Sequence, residues 1–578
     1  MSDWLLALLQ PGPNWIIAPI LLPLLAGAVI MLMREEQRKL KIGVNIGATL
    51  LGWVVALTLL LWTDKQNGSG INGAIGIYLP GNWPAPFGIV LAVDRLSALM
   101  LVLGSTVALA SVVFAAARWH KAGVHFHPLF QLQIMGLSGA FLAADLFNLF
   151  VFFEIMLSAS YGLLLHGSGR QRVKASLHYI AINLAASSLF LIGVSMLYGI
   201  TGTLNMADMA VRIPEVSPSD RGLLHAAAAI LGVAFLAKAA AWPLNFWLVP
   251  AYSAATAPVG ALFAIMSKVG IYTILRLWTL LFSAQAGASA DFASDWIVAG
   301  GLLTLGFGAV GMLGSQKLGK LTGYAIITSS GALLASIGFG QANLVAGALY
   351  YLLSSTLAAS AMFLITDLIE RWRNAGASIA PHEQKFDAPF LSPNLRSNAK
   401  FNLDDDEEAL IGKPIPSAVA FLGLGFLCCT LLLSGLPPLS GFVGKFAMLH
   451  ALLNPEGLGH PGGAPLTSAW LLMALLITSG LFGLIALTRT GIRHFWAAHD
   501  RSPPQLGLTE GLPVAALLLA CVVLSVQAGA VMRYTRDTAN ALFTPAPYIQ
   551  AVMTAKTVPG LTQSAPAVDL SQTVKAAP

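Results

Sequence analysis

Apolar runs of roughly twenty residues follow one another along almost the whole chain, separated by short stretches that carry most of its polar residues. Twenty residues of α-helix rise about 30 Å, the thickness of the hydrocarbon layer of a bilayer, and a backbone that crosses lipid has to satisfy its own hydrogen bonds. The pattern therefore predicts an all-α, polytopic membrane protein with about fourteen transmembrane helices. They fall near 15–33, 42–62, 96–117, 129–147, 148–167, 174–199, 223–247, 258–281, 296–313, 321–341, 344–369, 417–452, 467–488 and 511–532.

Three segments depart from this pattern. The stretch 63–95 is rich in Gly, Asn and Pro, and alternates apolar residues around IGIYLPGNW and FGIVLAVD, as a short hairpin or reentrant cover would. The stretch 371–416 carries PHEQKFDAPFLSPNLRSN and the acidic run DDDEE at 404–408, and reads as a flexible linker. Beyond about residue 535 the chain is rich in Ala, Pro and Thr and is expected to lack fixed structure.

Charge orients the bundle, because Lys and Arg gather on the cytoplasmic side. Alternate loops carry Arg34, Arg38, Lys39 and Lys41, then Arg118 and Lys121, Arg170, Arg172 and Lys174, Lys317 and Lys320, Arg371 to Lys413, and Arg489, Arg493 and Arg501. The loop 282–295, on the other side, holds Asp291 and Asp295 and no basic residue. With an even number of helices both termini are expected outside, and with no basic leader or cleavage site the first span is expected to be retained. The net charge of +6 comes mainly from these anchoring loops, so it marks topology and not a nucleic-acid surface. Of the three cysteines, Cys428 and Cys429 are adjacent in one apolar helix and Cys521 is in another. That spacing fits neither a disulfide framework nor a metal or iron–sulfur site, so no cofactor and no redox chemistry are expected of this chain.

Function is expected where charge interrupts the apolar runs. Glu154 stands in LFVFFEIMLSASY, Lys238 in AFLAKAAAWPL, Lys268 in ALFAIMSKVGIY and Lys445 in LSGFVGKFAML. An ionised group at the centre of a membrane helix costs about 2.5–3.5 kcal/mol on insertion scales, so each needs a partner, water or a task. Two of these helices are also broken. Lys238 is followed by Trp242 and Pro243, while Gly435, Pro437 and Pro438 precede Lys445. Proline frees carbonyls inside the membrane, and charged broken helices in two separated parts of a chain are a mark of inverted-repeat transporters.

Each break is fourth in a run of five helices, so the chain divides into 1–128 (three helices and an outer loop), 129–281 (a first five-helix repeat), 296–493 (a second repeat containing the linker 371–416), 511–533 (a last helix) and the tail 534–578. A buried lysine beside a movable carboxylate is a natural proton relay, and Glu154 is the acidic residue deep in the first half that can partner Lys238. Lys268, with Tyr272 one turn on, is a candidate to carry the proton inward. Asp145, at a junction of two spans, is read as an entrance residue facing water. Thr328, Ser329 and Ser330 in one helix and Tyr350, Tyr351, Ser354, Ser355 and Thr356 in the next could line a hydrated path, although such hydroxyls often bond back to their own turn. His120, His125, His127, His494 and His499 fall in predicted loops, so a histidine relay is not expected.

The ordered combination LFNLFVFFEIMLSASYGLL, AFLAKAAAWPLNFWLVPAYSAATAPVGALFAIMSKVGIY and CCTLLLSGLPPLSGFVGKFAML resembles the proton-conducting antiporter-type subunits shared by respiratory complex I and the multisubunit Mrp (Mnh, Pha) cation/proton antiporters, above all the Mrp D-type. The resemblance covers about residues 15–535. It implies fourteen helices with the fourth to eighth and ninth to thirteenth as inverted repeats. It also implies proton movement along a central hydrated axis through Glu154, Lys238, Lys268 and Lys445, with Glu154 tuning the proton affinity of Lys238. By the same resemblance the chain would be one large subunit of a hetero-oligomer in a bacterial inner membrane, beside a large A-type subunit and small membrane subunits, moving protons against Na⁺ or K⁺. Ser354 and Asn245 stand where related subunits often carry histidine. An energy-coupling membrane subunit of an NADH:quinone oxidoreductase or membrane-bound hydrogenase, with redox chemistry in partner chains, is the alternative, and a structural scaffold is a third.

Overall fold

The computed structural model describes residues 13–65, 75–119, 123, 125–167, 169–377, 416–455, 466–496, 504 and 506–557. The chain opens with α1 (Ala18–Leu32) and α2 (Arg38–Asp64), then strands β1 (Gly76–Tyr78) and β2 (Leu91–Val93), which pair antiparallel with Ile77 opposite Ala92. The first half continues with α3 (Arg95–Ala115), α4 (Phe126–Leu142), α5 (Leu146–Leu165), α6 (Arg170–Thr201), α7 (Met206–Arg212), α8 (Arg221–Lys238), α9 (Leu248–Ala254) and α10 (Ala257–Leu281). The second half holds α11 (Ser294–Gly314), α12 (Leu318–Gly338), α13 (Ala342–Ala377), α14 (Ser417–Ser434), α15 (Ser440–Leu453), α16 (Thr467–Gly491) and α17 (Leu508–Val526). Among the described residues 12 helices are long and apolar enough to cross a membrane, and α1 and α15 are apolar but shorter.

The two long spans expected at 223–247 and 417–452 are each interrupted. In the first, α8 stops at Lys238 and α9 resumes at Leu248; in the second, α14 stops at Ser434 and α15 starts at Ser440. Both gaps hold a cis X–Pro bond, Trp242–Pro243 and Pro437–Pro438. Gly435 ends α14 in the left-handed region at φ 77°, a conformation open to glycine without a Cβ penalty.

Burial locates the centre of the bundle. Every residue of α10 is buried, and α10 packs against α3, α8, α12 and α13. With no hydrophobic effect to join helices inside lipid, close approach depends on small residues. The α11–α12 contact is of this kind: a Cβ at Gly331 would collide with the backbone nitrogen of Leu305, and one at Gly301 with that of Ala335. Gly331→Ala should therefore push the two helices apart at a cost of about 1–3 kcal/mol. A melting temperature of the detergent-solubilised protein unchanged by the substitution would refute this.

The tail is ordered further than its composition suggested. Two helices, α18 (Ala528–Phe543) and α19 (Ala546–Met553), follow the last long span, and α18 lies against α3, α10 and α13. Its buried residues Tyr534, Thr535, Thr538, Ala539 and Leu542 fall at helical spacing. Tyr534 Oη donates to the carbonyl of Arg95 (2.9 Å), and Asp537 pairs with Arg95 at 3.6 Å. The expectation of a structureless tail from about 535 is thus corrected as far as Met553; residues 558–578 lie outside the described ones, as do 378–415 of the predicted linker and 66–74 of the predicted hairpin.

Candidate functional site

Lys238 closes α8 at the first break and is buried. Its Nζ donates to Ser187 Oγ of α6 at 3.3 Å, and that hydroxyl donates in turn to Glu154 Oε1 of α5. The ammonium also stands 5.0 Å over the Phe153 ring, a favourable place for a cation. Glu154 and Lys238 are therefore brought together, but through a serine that sequence reading did not single out. The signal was present in α6, where Tyr179, Asn183 and Ser187 recur at steps of four in an apolar helix and are all buried. Tyr179 Oη bonds Ser160 Oγ at 2.7 Å, and Asn183 Nδ2 donates to the Tyr179 carbonyl at 2.9 Å. Ser187→Ala removes both hydrogen bonds of the bridge, each about 0.5–1.5 kcal/mol net, so if protons pass through this pair their movement should fall roughly five- to a hundredfold with assembly intact. Stopped-flow quenching of a pH dye in vesicles reads this rate.

Backbone groups at the first break are covered locally. Trp247 Nε1 donates to the Ala237 carbonyl at 3.1 Å, and Trp242 N donates to Thr304 Oγ1 of α11 at 2.8 Å. Asn245 is buried there, and its Nδ2 has no hydrogen-bond partner among the described residues.

Lys268 lies in the fully buried α10 and donates to Ser329 Oγ at 2.5 Å and Ser330 Oγ at 3.2 Å, both on α12. Gly270 sets its distance from Lys238: a Cβ there would meet the backbone of Ala239 at 2.8 Å and of Phe235 at 2.9 Å. Helices α8 and α10 thus touch within two residues of both lysines. Tyr272 turns away from the serines, donating to the Phe141 carbonyl at 2.7 Å and lying 3.3 Å from Ser97 Oγ.

In the second half Ser354 bonds Ser440 across 2.8 Å, joining α13 to the first residue after the second break. Ser355 and Thr356 instead donate back to the Leu352 carbonyl, at 3.3 and 2.7 Å. Lys445 reaches back from α15 and donates to the carbonyl of Ser434, at the end of α14, at 3.0 Å. Glycines make room for it: a Cβ at Gly435 would lie 2.6 Å from Lys445 Cδ, and one at Gly480 would lie 3.3 Å from Lys445 Nζ. A cavity of about 320 Å³, lined mainly by apolar side chains such as Phe446 and Leu449, lies beside it.

Two expectations change. Asp145 is buried rather than water-facing, and caps α5 by accepting from the backbone N–H groups of Phe147 and Asn148, each at 2.9 Å. His127 and His494 also depart from the expected loops. His127 is buried in α4 beside Asn45 (2.7 Å), and His494 is buried in the turn that follows α16. Among the described residues no three His, Cys, Asp or Glu side chains are grouped as a metal site would require.

A family model described as the transmembrane region of NADH:quinone oxidoreductase and Mrp antiporters matches residues 143–386, which include Glu154, Lys238 and Lys268. A probable K⁺/H⁺ antiporter D-type subunit of Rhizobium meliloti is 50% identical over 96% of this chain and 99% of its own length. The Na⁺/H⁺ antiporter D-type subunit of Alkalihalophilus pseudofirmus is 31% identical over 93% of this chain and 99% of its own. Among solved structures, a chain of the Mrp complex from Dietzia sp. superimposes with a TM-score of 0.76 at 23% identity, covering 93% of this chain and 99% of that one. A chain of respiratory complex I from Thermus thermophilus gives 0.68 at 20% identity, covering 94% and 100%. At that identity, the two structural matches speak for the fold.

Proposed function

The chain belongs to the D-type subunit family of the multisubunit Mrp cation/proton antiporters, and from that premise we propose that it is the proton-translocating membrane subunit of a Na⁺/H⁺ or K⁺/H⁺ antiporter. The observation that carries the proposal is the series of buried lysines on hydroxyl and carbonyl partners: Lys238 on Ser187, which in turn bonds Glu154, Lys268 on Ser329 and Ser330, Lys445 on the Ser434 carbonyl. Desolvation disfavours the charged form of a buried lysine, and a nearby oxygen favours it. Such groups can take and release a proton as water and partners shift around them.

In this proposal the proton passes from Glu154 and Lys238 to Lys268 across the α8–α10 contact. It continues by the Ser329, Ser330 and Ser354 hydroxyls and intervening water to Lys445. The two broken helices are the fourth members of inverted five-helix repeats in a fourteen-helix chain of the bacterial inner membrane, with both termini outside. Proton movement is driven by the gradient and coupled to export of Na⁺ or K⁺ through the assembled complex, whose other members are the large A-type and small membrane subunits. The high identity to antiporter D-type subunits favours this over a subunit of a redox complex.

Everted vesicles from a strain lacking its own antiporters, expressing the complete operon, test the proposal. Added Na⁺ or K⁺ should dissipate a respiration-driven pH gradient, and omission of this gene should abolish the effect. No response to either cation, with a purified complex that carries flavin or iron–sulfur clusters, would turn the assignment to the redox alternative.

A further inference from the structure

Lys268, Tyr272 and Arg276 occupy i, i+4 and i+8 on α10, so about 6 Å of helix separates successive members of one face. The series runs from the centre of the bundle towards the end of α10 that leads into 282–295, the loop without basic residues. Beyond Tyr272, Ser97 Oγ accepts from Arg276 Nη2 at 3.3 Å. Arg276 closes a two-armed fork on Asp94, with both Nη–Oδ distances 2.6 Å. Its guanidinium also stands 5.1 Å over the ring of Tyr548, from α19. Just past the pair is a cavity of about 40 Å³ walled by Asp94, Arg95, Arg276, Thr279, Thr538 and Tyr548, room for roughly three waters.

Water-sized space thus meets the guanidinium from the side of the 282–295 loop, and a single tyrosine layer separates that guanidinium from the turn of Lys268. For a proton carrier this is a hazard. A proton leaving Lys268 by this short route would cross the membrane without passing Lys445, uncoupled from any cation. An arginine cannot relay the proton, because it does not deprotonate in proteins, and a fixed positive charge in a narrow, poorly solvated path repels an excess proton. Asp94 offsets part of that charge, but its oxygens are committed to the fork and to the Ser97 N–H (2.9 Å), so it holds the guanidinium in place.

We propose that Arg276, clamped by Asp94, is an electrostatic plug that closes the outward route from Lys268 and forces its proton on towards the second half. The proposal rests on Lys268 being a proton carrier. The test is passive leak: everted vesicles holding the complete complex are acidified, respiration is stopped, and decay of the pH gradient is followed in buffer without Na⁺ or K⁺. Arg276→Gln should speed the decay several-fold at equal amounts of assembled complex. Arg276→Lys, which keeps the charge, should stay tight, and Arg276→Gln combined with Lys268→Ala should return to background. If Arg276→Gln assembles poorly, Asp94→Asn together with Arg276→Gln removes the charge without stranding the carboxylate, and is measured in its place. No added leak, an equal leak in Arg276→Lys, or a leak that survives Lys268→Ala would overturn the plug. Cation-dependent decay of the wild type in the same vesicles tests transport separately, so loss of that response counts against the antiporter assignment and not against the plug.

Discussion

Lys238→Ala should lower cation-dependent proton movement by on the order of a hundredfold while the complex still assembles, because removing a positioned proton-transfer group costs about 10²–10⁴ in rate. Assembly should survive because the end of α8 does not rely on the lysine. Pro243 interrupts the helix, Trp247 satisfies the Ala237 carbonyl, and Thr304 accepts from Trp242. The sharper variant is Lys238→Arg. A guanidinium can keep the contact with Ser187, and through it Glu154, but does not release its proton. If the pair, with its serine bridge, only pins α5 and α6 to α8, arginine should restore transport; if a proton must come off at this position, arginine should be as inactive as alanine. Wild-type rates in Lys238→Arg vesicles would therefore reduce the Glu154–Lys238 pair to a structural one.

The four charged residues were legible in the sequence because the bilayer penalises them individually, whatever surrounds them. The breaks were legible because Pro243, Pro437 and Pro438 act through the local backbone. What these residues touch was not legible. Ser187 bridges Lys238 to Glu154, whereas its neighbour Ser188 donates to its own helix at Leu184. Nothing local distinguishes the two; the face that α6 turns to α5 and α8 decides. Ser329 and Ser330 accept from Lys268, Ser329 also donating to its own helix at Ile326, while Ser355 and Thr356 donate only back to Leu352. The order in α18 was obscured because two of the residues at its helical spacing, Thr535 and Thr538, are polar and the segment reads as an Ala- and Thr-rich tail. Asp145 was misread for the reverse reason: a charge at a span junction suggests water, but an N-cap aspartate answers orphan helix N–H groups.

Lys445→Ala should also stop transport, again on the order of a hundredfold, and with a second effect at the helix break. The partner of Lys445 is the backbone carbonyl of Ser434 at the helix break, and among the described residues no carboxylate pairs with it. Removing the ammonium leaves that acceptor without its described bond, a penalty of about 1–3 kcal/mol for a buried group. The Lys445 variant should consequently melt earlier in detergent than the wild type. Gly480→Ala separates the two effects without touching the charge. The new Cβ would lie 2.6 Å from the Ser434 oxygen and 3.3 Å from Lys445 Nζ, so the carbonyl or the ammonium has to move. If the hydrogen bond at the break sets the position of the proton carrier, Gly480→Ala should reduce cation-dependent proton movement roughly tenfold, the loss of about 1.4 kcal/mol of positioning. Full activity in Gly480→Ala together with none in Lys445→Ala would mean that the charge matters and its seat on Ser434 does not.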